Sequence, residues 1–385
     1  MKKFLSYALT ALLTCALTLS VVFFYARNDD EYSKLDQLQQ IIDYYFVNDP
    51  DKGALEDAAA DAIVQALGDR WSYYMTAEEY ANYIQTMANA YVGIGATVQA
   101  NAEGLGIDII QVTKGGPAEE AGILAGDVII AVNGQDVAGM DVTAVSSMVK
   151  GKEGTQVTVT ILRGQETLDF TVTRRAIKTE VATGTMLDGN VGLVRIVNFD
   201  SRCFDETKAV IEDLLSQGAE SLIFDVRFNP GGYKNELVKI LDYLLPEGEI
   251  FRSENYNGSV SVDKSDAACL EIPMAVLVNG DSYSAAEFFA AALGEYDWAV
   301  TVGTQTCGKG YFQNCFKLDD GSAVNISTGK YYTPKGVSLA EVGGLVPDVV
   351  VEVEDDVLAG IYYGTLDPME DPQILAALEA LNNQK

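Results

Sequence analysis

The sequence of 385 residues contains no histidine and carries a formal net charge of −30 at pH 7. The absence of histidine excludes Ser-His-Asp triads, Cys-His pairs and zinc sites with imidazole ligands, so any general base must be another side chain or water. The strong negative charge would repel phosphate backbones, so no nucleic-acid partner is expected. No metal or other cofactor is expected either. With 48% hydrophobic residues, the chain can bury the cores of two or three folded modules.

The N-terminal residues predict a membrane anchor over residues 1–30. Lys2 and Lys3 precede an uncharged run, Phe4–Ala26, which is long enough to span a bilayer. The paired lysines predict a cytoplasmic N-terminus, so the chain would be a single-pass protein of the cell membrane with its folded part outside the cytoplasm. A cleaved signal peptide is the alternative, although no convincing small-x-small site lies near Ala26. Leu12–Cys15 only faintly resembles a lipoprotein box, because the apolar run continues past it.

Residues 31–89 have the pattern of a helical region. Apolar residues recur at helical spacing from Leu35 to Tyr45, and a second helical segment, Ala54–Leu67, stops at Gly68. Thr76 and Glu79 form a capping-box pattern at the start of a third helix. No residue of this region suggests chemistry. We interpret it as a packing or dimerisation arm, and a homodimer is therefore one expectation.

From about Tyr91 the sequence changes to short strand-like runs punctuated by glycine. The stretches GPAEEAGI at residues 116–123 and GDVIIAVNG at 126–134 resemble a bacterial-type PDZ domain, which would cover residues 90–175. The resemblance implies a groove that captures a peptide C-terminus by adding it as a strand to a sheet edge. Backbone N–H groups of Gly93, Ile94 and Gly95 would bind the terminal carboxylate. The alternative is a PDZ domain that only spaces other parts.

Residues 176–385 alternate strand and helix patterns, which is typical of an α/β layer architecture. The predicted strands are residues 191–196, 221–226, 274–278 and 298–303, and the predicted helices are 204–217 and 285–293. The whole chain is predicted as an α/β (α+β multidomain) protein with an anchor, a helical arm, a PDZ domain and an α/β core. Functional groups in such layers gather at strand ends.

Two serines lie in the turn that follows the predicted strand at 274–278. The turn Asn279-Gly-Asp-Ser-Tyr-Ser leads into a helix, so Ser282 and Ser284 would lie near N–H groups that stabilise developing negative charge. The turn is not a GxSxG elbow. Either serine could instead be a simple helix cap, and physical reasoning alone does not choose between them.

Residues 303–310, Gly-Thr-Gln-Thr-Cys-Gly-Lys-Gly, nearly match the P-loop pattern GxxxxGK[ST]. Gly310 replaces the hydroxyl that would bind magnesium, and Tyr311–Phe316 has the pattern of a strand where a P-loop requires a helix. We therefore reject a nucleotide site and interpret Lys309 as a lysine on a glycine turn that points into a cleft.

A serine beside a buried lysine is a known pairing for acyl transfer. Burial disfavours the charged amine, so the pKa falls from about 10.4 and the neutral amine can take the serine proton. Such a site requires a dry wall and no carboxylate within salt-bridge reach of the amine. Tyr311, Phe312 and Phe316 are the apolar candidates for that wall.

These residues resemble the C-terminal processing peptidases, the tail-specific protease family. The motif S-x-S-A-[AS]-E is matched by residues 282–287, and T-x-G-K-G-x-x-Q by residues 306–313, with cysteine at 307 where phenylalanine is usual. The resemblance implies that Ser284 is the nucleophile, Lys309 the general base and Gln313 the residue that orients the lysine. Further matches cover residues 225–232, 331–336 and 344–348, in the family's domain order.

The resemblance also implies an oxyanion hole. The turn Asn229-Pro-Gly-Gly would supply the N–H of Gly231 or Gly232, and Ala285 would supply the second donor. Glu287, one helical turn after Ser284, would either anchor the adjacent loop or be a solvated carboxylate.

Four cysteines follow the N-terminal run, and none forms a CxxC pair that would indicate a thiolate metal site. A disulfide between Cys307 and Cys315, which bracket Lys309, is a hypothesis. The alternative is that both are small apolar side chains.

The sequence predicts a serine endopeptidase that hydrolyses peptide bonds in or near unstructured C-terminal tails of exported proteins. The PDZ domain would recognise the substrate C-terminus. The alternatives are a catalytically inactive PDZ scaffold or chaperone that binds protein C-termini, and an acyl-transferring enzyme acting on a non-peptide ester or amide.

Overall fold

A computed structural model describes residues 14, 15, 18, 33–87 and 90–384. The chain divides into one unit that ends at Leu67 and a second that begins at Gly68. The first unit contains the helices α1 (Ser33–Tyr45) and α2 (Lys52–Gln65), as the periodicity of the sequence predicts. Asp51 caps α2 by accepting a hydrogen bond from a backbone N–H of its first turn.

The predicted anchor, Phe4–Ala26, lies almost wholly outside the described residues. Over the part of the chain that the structure does describe, no helix is both long enough and apolar enough to cross a bilayer.

The segment between residues 68 and 75 departs from the predicted helical region. The Asp69 carboxylate accepts hydrogen bonds from the Trp71 backbone N–H and the Ser72 hydroxyl, a local turn that competes with helix formation. Strand β1 (Tyr73–Met75) follows. The next helix, α3 (Ala77–Met87), begins where predicted, because Thr76 and Glu79 exchange the two hydrogen bonds of a capping box.

The region predicted as a PDZ domain is a six-stranded antiparallel sheet with two helices and its own core of isoleucine and valine side chains. Its strand order is β3-β4-β5-β7-β8, and the short β6 pairs with β5. The elements are β3 (Ala96–Ala100), β4 (Ile107–Val112), α4 (Pro117–Ala121), β5 (Val128–Val132), β6 (Gln135–Asp136), α5 (Val142–Val149), β7 (Gln156–Arg163) and β8 (Glu166–Thr173). Strand β3 is therefore at the edge of the sheet.

The chain enters and leaves this sheet through a separate two-stranded ribbon. Strand β2 (Ala90–Gly93) pairs antiparallel with β9 (Arg175–Lys178), with Tyr91 opposite Ile177. The two connections to the rest of the unit therefore lie side by side.

The following core is built on a second six-stranded sheet of order β10-β11-β12-β15-β16-β19. Every neighbouring pair in it is parallel except β10 with β11. Its strands are β10 (Ala182–Leu187), β11 (Val191–Ile196), β12 (Ser221–Asp225), β15 (Met274–Val278), β16 (Ala299–Gly303) and β19 (Val349–Val350). The strands predicted at 191–196 and 274–278 are confirmed residue for residue, and those at 221–226 and 298–303 to within one residue.

Helices cover this sheet in two layers. Apolar residues of α6 (Cys203–Ser216), α7 (Lys234–Leu244) and α8 (Ala285–Glu295) join one hydrophobic cluster with the sheet. The last helix, α11 (Pro372–Gln384), contributes to a separate cluster through Ile374 and Leu381. The predicted α/β layer architecture is confirmed.

A further sheet of five strands completes the core. Its order is β1-β18-β13-β14, and β17 pairs with the opposite side of β18. The remaining elements are β13 (Gly248–Asn255), β14 (Val260–Ser265), β17 (Tyr311–Lys317), β18 (Ala323–Tyr332), α9 (Leu339–Val342), α10 (Asp355–Tyr363) and a 3₁₀ turn (Pro368–Glu370). Because β1 is part of this sheet, residues 73–75 belong structurally to the core that the sequence placed after residue 175.

Candidate active site

Three loops converge at one edge of the parallel sheet. Strands β12, β15 and β16 are neighbours, and their carboxyl ends continue into residues 226–232, 279–284 and 304–309. Loops at adjacent carboxyl ends of a parallel sheet share one crevice. The three segments that carry the predicted site residues are thereby brought together.

The two candidate serines have different environments. Ser282 is wholly buried, and its hydroxyl donates to the Val226 carbonyl at 2.7 Å while accepting from the Asn279 N–H at 3.1 Å. Ser284 is half-buried at the N-terminus of α8 and has a φ of 59°, a strained conformation for a residue with a side chain. Ser282 therefore joins the ends of two strands, while Ser284 is the more accessible of the two serines.

Glu287 joins the serine turn to the lysine loop. Its side chain is completely buried; one carboxylate oxygen accepts from the Thr306 hydroxyl at 2.8 Å and the Gly308 N–H at 2.9 Å. The other oxygen accepts from the Lys309 N–H at 2.8 Å and the Ser284 N–H at 3.0 Å. Burial raises the pKa of Glu287, although all these donors oppose the change. Of the two predicted roles for Glu287, the anchor is correct.

The lysine loop is also held from the side away from the serine turn. The backbone groups of Leu345 bond Thr306 twice, to its hydroxyl at 2.8 Å and from its N–H at 3.0 Å. The buried Tyr331 hydroxyl donates to the Lys309 carbonyl. The motif matches at residues 331–336 and 344–348 thus correspond to segments that fix the backbone of Lys309.

The Lys309 amine has no counter-ion: among the described residues, no carboxylate lies within 4.0 Å of its Nζ. Its Nζ lies 4.7 Å from the ring centroid of Trp71. Burial lowers the pKa of Lys309 to about 8, and the negative charge of Glu287 works against that shift. A substantial fraction of this amine is therefore neutral near pH 8.

The dry wall beside Lys309 differs from the predicted one. Strand β17 lies at the edge of its sheet, where residues 314–317 are exposed, and Phe316 is 49% exposed. Phe312 remains packed against the main core. The assignment of Phe316 to the wall was wrong, and Trp71 was missed. The available signal was the Gly68-Asp69 interruption of the helical pattern, with one of only two tryptophans in the chain directly after it.

Gln313 is near the lysine loop but does not bond the lysine. Its amide nitrogen donates to the Tyr311 carbonyl and to the Ser327 hydroxyl, both at 3.1 Å. No hydrogen bond joins Gln313 to Lys309 among the described residues. The hydrogen bonds of Gln313 therefore connect it to Lys309 only indirectly, through Tyr311 and Ser327.

Gly231 packs directly against the serine turn. A Cβ at this position would lie 2.8 Å from the Ala285 nitrogen and 2.8 Å from the Ser284 Cβ, and its φ is 88°. The N–H of Gly231 is already donated to Asn229 Oδ1 at 2.8 Å. Gly232 is the other glycine predicted as an oxyanion donor, and its N–H makes no such hydrogen bond to Asn229. Ala285 is the first residue of α8, where backbone N–H groups lack helical acceptors.

The loop that carries Gly231 is anchored by a buried ion-pair network. Arg227 donates to both carboxylate oxygens of Asp225 at 2.9 and 2.7 Å, and to Asp371 at 2.7 Å and Gln373 at 2.9 Å. Burial alone would raise the pKa of Asp225, but the adjacent Arg227 lowers it by more. The network ties the end of β12 to the start of α11.

A narrow cavity lies between β3 and α5, where the PDZ groove is predicted. Its volume is about 50 Å³, and it is lined by Gly93, Ile94 and Gly95, by apolar side chains of both elements, and by Lys150 at the end of α5. The Ile94 and Gly95 carbonyls are bonded to Ala118 and Thr113 N–H groups. Together with the open edge of β3, this loop has the form required for strand addition.

All five cysteines are unpaired. The hypothesis of a Cys307–Cys315 disulfide was wrong, because β17 runs extended from Tyr311 and carries Cys315 roughly 13 Å beyond it at about 3.3 Å per residue. Cys307 instead accepts a hydrogen bond from Arg70 at 3.5 Å.

Comparison with known proteins agrees with this architecture. The profile of Peptidase family S41 matches residues 190–351, and that of the PDZ domain matches residues 109–163. The carboxy-terminal processing protease CtpA of Bacillus subtilis (strain 168) is 34% identical over 368 residues, which cover 92% of this chain and 78% of that protein. A probable CtpA-like serine protease of Staphylococcus aureus (strain COL) is 32% identical over 360 residues, covering 89% and 71%.

Among solved structures, a putative S41 protease from Bacteroides fragilis aligns with a TM-score of 0.57 at 18% identity, covering 84% of this chain and 90% of that one. At this identity the likeness concerns the fold alone.

Fold and sequence together define a serine-type peptidase with a PDZ domain. The chain belongs to the C-terminal processing peptidases of family S41.

Proposed function

We propose that the protein hydrolyses peptide bonds in or near unstructured C-terminal tails, with Ser284 as nucleophile and Lys309 as general base. The observation that carries the proposal is the buried Glu287 carboxylate, which accepts the backbone N–H groups of both residues. It fixes the serine turn relative to the lysine loop without forming an ion pair with the amine. A base that remains partly neutral is what a serine–lysine pair requires.

The chemistry follows from these groups. The neutral Lys309 amine takes the proton of the Ser284 hydroxyl as its oxygen attacks the scissile carbonyl. The resulting ammonium protonates the leaving amine, and an acyl-enzyme ester forms on Ser284. A water molecule, deprotonated by Lys309, then releases the acid and restores the serine. Gly232 and Ala285 N–H groups would stabilise the oxyanion in both halves, and Gly231 keeps their approach free of a side chain.

The PDZ groove would select the substrate. A peptide C-terminus would add as a strand to β3, with its carboxylate at the N–H groups of the Gly93–Gly95 loop. The cavity behind that loop is lined mainly by aliphatic side chains, including Ile107, Ile129 and Val145, so it suits an apolar terminal residue.

The cellular setting belongs to the same proposal. The uncharged run Phe4–Ala26 behind two lysines supports a single-pass anchor in the cell membrane, with the peptidase outside the cytoplasm and acting on exported proteins. The exposed apolar residues of α1, including Leu38 and Ile41, support a dimerisation arm.

Cleavage of a protein with an unstructured C-terminal tail, followed by mass spectrometry of the products, tests the function. We expect Ser284→Ala and Lys309→Ala each to lower kcat/KM by at least about 10³-fold, the scale on which triad members act. Ser282→Ala is the matched control: it loses the two buried hydrogen bonds of the Ser282 hydroxyl but keeps the nucleophile, so it should cleave at a rate close to that of the wild type.

Wild-type cleavage by Ser284→Ala or Lys309→Ala would end the proposed pairing. Tail binding without cleavage by the wild-type chain would instead favour the inactive scaffold.

A further inference from the structure

We infer that Trp71 is a positioning residue for the general base, holding the Lys309 amine against its ring face where a counter-ion would otherwise be needed. The inference rests on the proposed role of Lys309. The Nζ lies 4.7 Å from the Trp71 ring centroid, within the range of cation–π contacts. Trp71 lies outside the segments that match the S41 and PDZ profiles, residues 190–351 and 109–163.

The backbone of Trp71 is held in place from two sides. Its backbone N–H donates to Asp69 Oδ1 at 3.1 Å, and its carbonyl accepts from the Asn325 side-chain amide at 3.3 Å. Strand β1, which starts two residues later, pairs with β18. The Arg70 guanidinium lies 4.2 Å from the centroid of the same ring. The backbone that carries the ring is therefore fixed by Asp69 and the core sheet, independently of the lysine.

A chain of hydrogen bonds connects this turn to Gln313. The Ser72 hydroxyl donates to Asp69 Oδ2 at 2.6 Å and accepts the Ser327 N–H at 3.0 Å. The Ser327 hydroxyl accepts from Gln313 at 3.1 Å. Gln313, which does not bond Lys309, thus stabilises the turn that presents Trp71 to the amine.

An aromatic face suits a base better than a carboxylate does. A carboxylate in contact with the amine would favour the ammonium strongly and keep it protonated. The ring attracts the ammonium more weakly and also excludes water. Lys309 can therefore be held in one position and still lose its proton.

The test measures the protonation of Lys309 directly and separately from catalysis. In full-length protein carrying Ser284→Ala, acetic anhydride labelling of Lys309 is followed by mass spectrometry across pH values, which gives the midpoint for loss of the proton. Trp71→Ala is compared with Trp71→Phe as the conservative variant. Trp298→Ala is the matched control, since Trp298 is the other tryptophan and bonds the Leu270 carbonyl elsewhere in the core.

We expect Trp71→Ala to admit water and raise the midpoint by about one unit or more, towards the ordinary value of a lysine. In the Trp71→Ala protein that retains Ser284, kcat/KM at pH 7.5 should fall about tenfold. The reason is that the fraction of neutral Lys309 falls by about that factor for each unit by which its pKa rises. Trp71→Phe should retain most of both properties, and Trp298→Ala should leave the midpoint unchanged.

Equal midpoints for Trp71→Ala and Trp298→Ala would overturn the inference. Thermal unfolding of each variant identifies any that does not fold. If Trp71→Ala is one of these, Trp71→Leu takes its place, and a midpoint equal to that of Trp298→Leu overturns the inference. Cleavage by Ser284→Ala or Lys309→Ala at the wild-type rate would refute the proposed pairing instead, whatever the labelling shows.

Discussion

Glu287 bonds the backbone of Lys309 but leaves its amine unpaired. The carboxylate accepts the Lys309 N–H at 2.8 Å, while no carboxylate among the described residues lies within 4.0 Å of the Nζ. The same negative charge that orders the loop raises the pKa of the amine, and burial lowers it by more. The protonation of the base is therefore a balance between two effects that single substitutions can separate.

Replacing Glu287 with glutamine removes the charge and turns one acceptor into a donor that faces backbone N–H groups. We expect a loss of about 1–3 kcal/mol in the free energy of unfolding, because buried donors lose their acceptor. Activity should fall at least tenfold, and the acidic limb of the pH–kcat/KM profile should move to lower pH, since the charge that raises the lysine pKa is gone.

Glu295→Gln is the control for this substitution. Glu295 is at the opposite end of α8 and accepts hydrogen bonds from the Thr333 hydroxyl and the Lys335 backbone N–H. It should lose stability without any movement of the profile. An identical profile for Glu287→Gln and the wild type would contradict the balance described above.

Lys309→Met should abolish cleavage and increase stability in a pH-dependent way. The folded-state pKa of about 8 lies below the ordinary value of 10.5, so the fold disfavours the ammonium. The increase in the free energy of unfolding of Lys309→Met over the wild type should be complete below pH 8. Its size should be on the order of 3 kcal/mol, at about 1.36 kcal/mol per pKa unit, and it should disappear as the pH rises to 10.5. Urea unfolding at pH 7 and pH 10.5 measures it. Lys330→Met, at an exposed position on β18, should show no such dependence.

Gly231→Ala should damage the oxyanion site. The added Cβ would meet the Ala285 nitrogen and the Ser284 Cβ at 2.8 Å. Loss of one oxyanion donor costs about 10²–10³-fold in kcat, and we expect a decrease of that size with KM nearly unchanged. Gly258→Ala is matched to it, because Gly258 also has a positive φ, 78°, but nothing within 4 Å of the added Cβ. A Gly231→Ala enzyme as active as Gly258→Ala would argue against this geometry.

Lys150→Ala should weaken the binding of peptide C-termini to the PDZ groove. The lysine lines the cavity beside the loop of Gly93 and Gly95, so its charge would attract a terminal carboxylate. We expect a roughly threefold to tenfold increase in Kd that shrinks at high salt. Fluorescence anisotropy with a free-acid peptide and its C-terminal amide measures the effect. Lys152→Ala, outside the groove, serves as the control, and an equal affinity of acid and amide peptides would refute carboxylate capture.

Residue pattern and spacing could predict most of the core and the serine and lysine loops. The strand pattern after Lys309 correctly excluded a P-loop, since residues 311–317 form β17. The role of Glu287 could not be decided from the sequence, because its carboxylate accepts hydrogen bonds from residues as far as 22 positions away in the chain. The exposure of Phe316 was missed because its residue type does not show that the end of β17 lies at an exposed edge of the sheet.

The local sequence pattern could not predict that Trp71 contacts Lys309. Its contact with Lys309 joins segments 238 residues apart in sequence, and only the pairing of β1 with β18 brings them together. Motif spacing could single out Gln313, but its hydrogen-bond partners, Tyr311 and Ser327, depend on the register of β17 with β18.

The pairing of β1 with β18 also makes the PDZ domain an insertion within the peptidase rather than a neighbour of it. Along the chain, the first strand of the peptidase part starts at Tyr73. The β2–β9 ribbon then leads into and out of the PDZ domain, and the rest of the peptidase part follows Lys178. A protein trimmed to start at residue 176 would lack the first strand of its own sheet and the indole beside Lys309. The separable piece is the inserted one: replacing the residues between the two ribbon strands with a short turn would leave the peptidase chain whole.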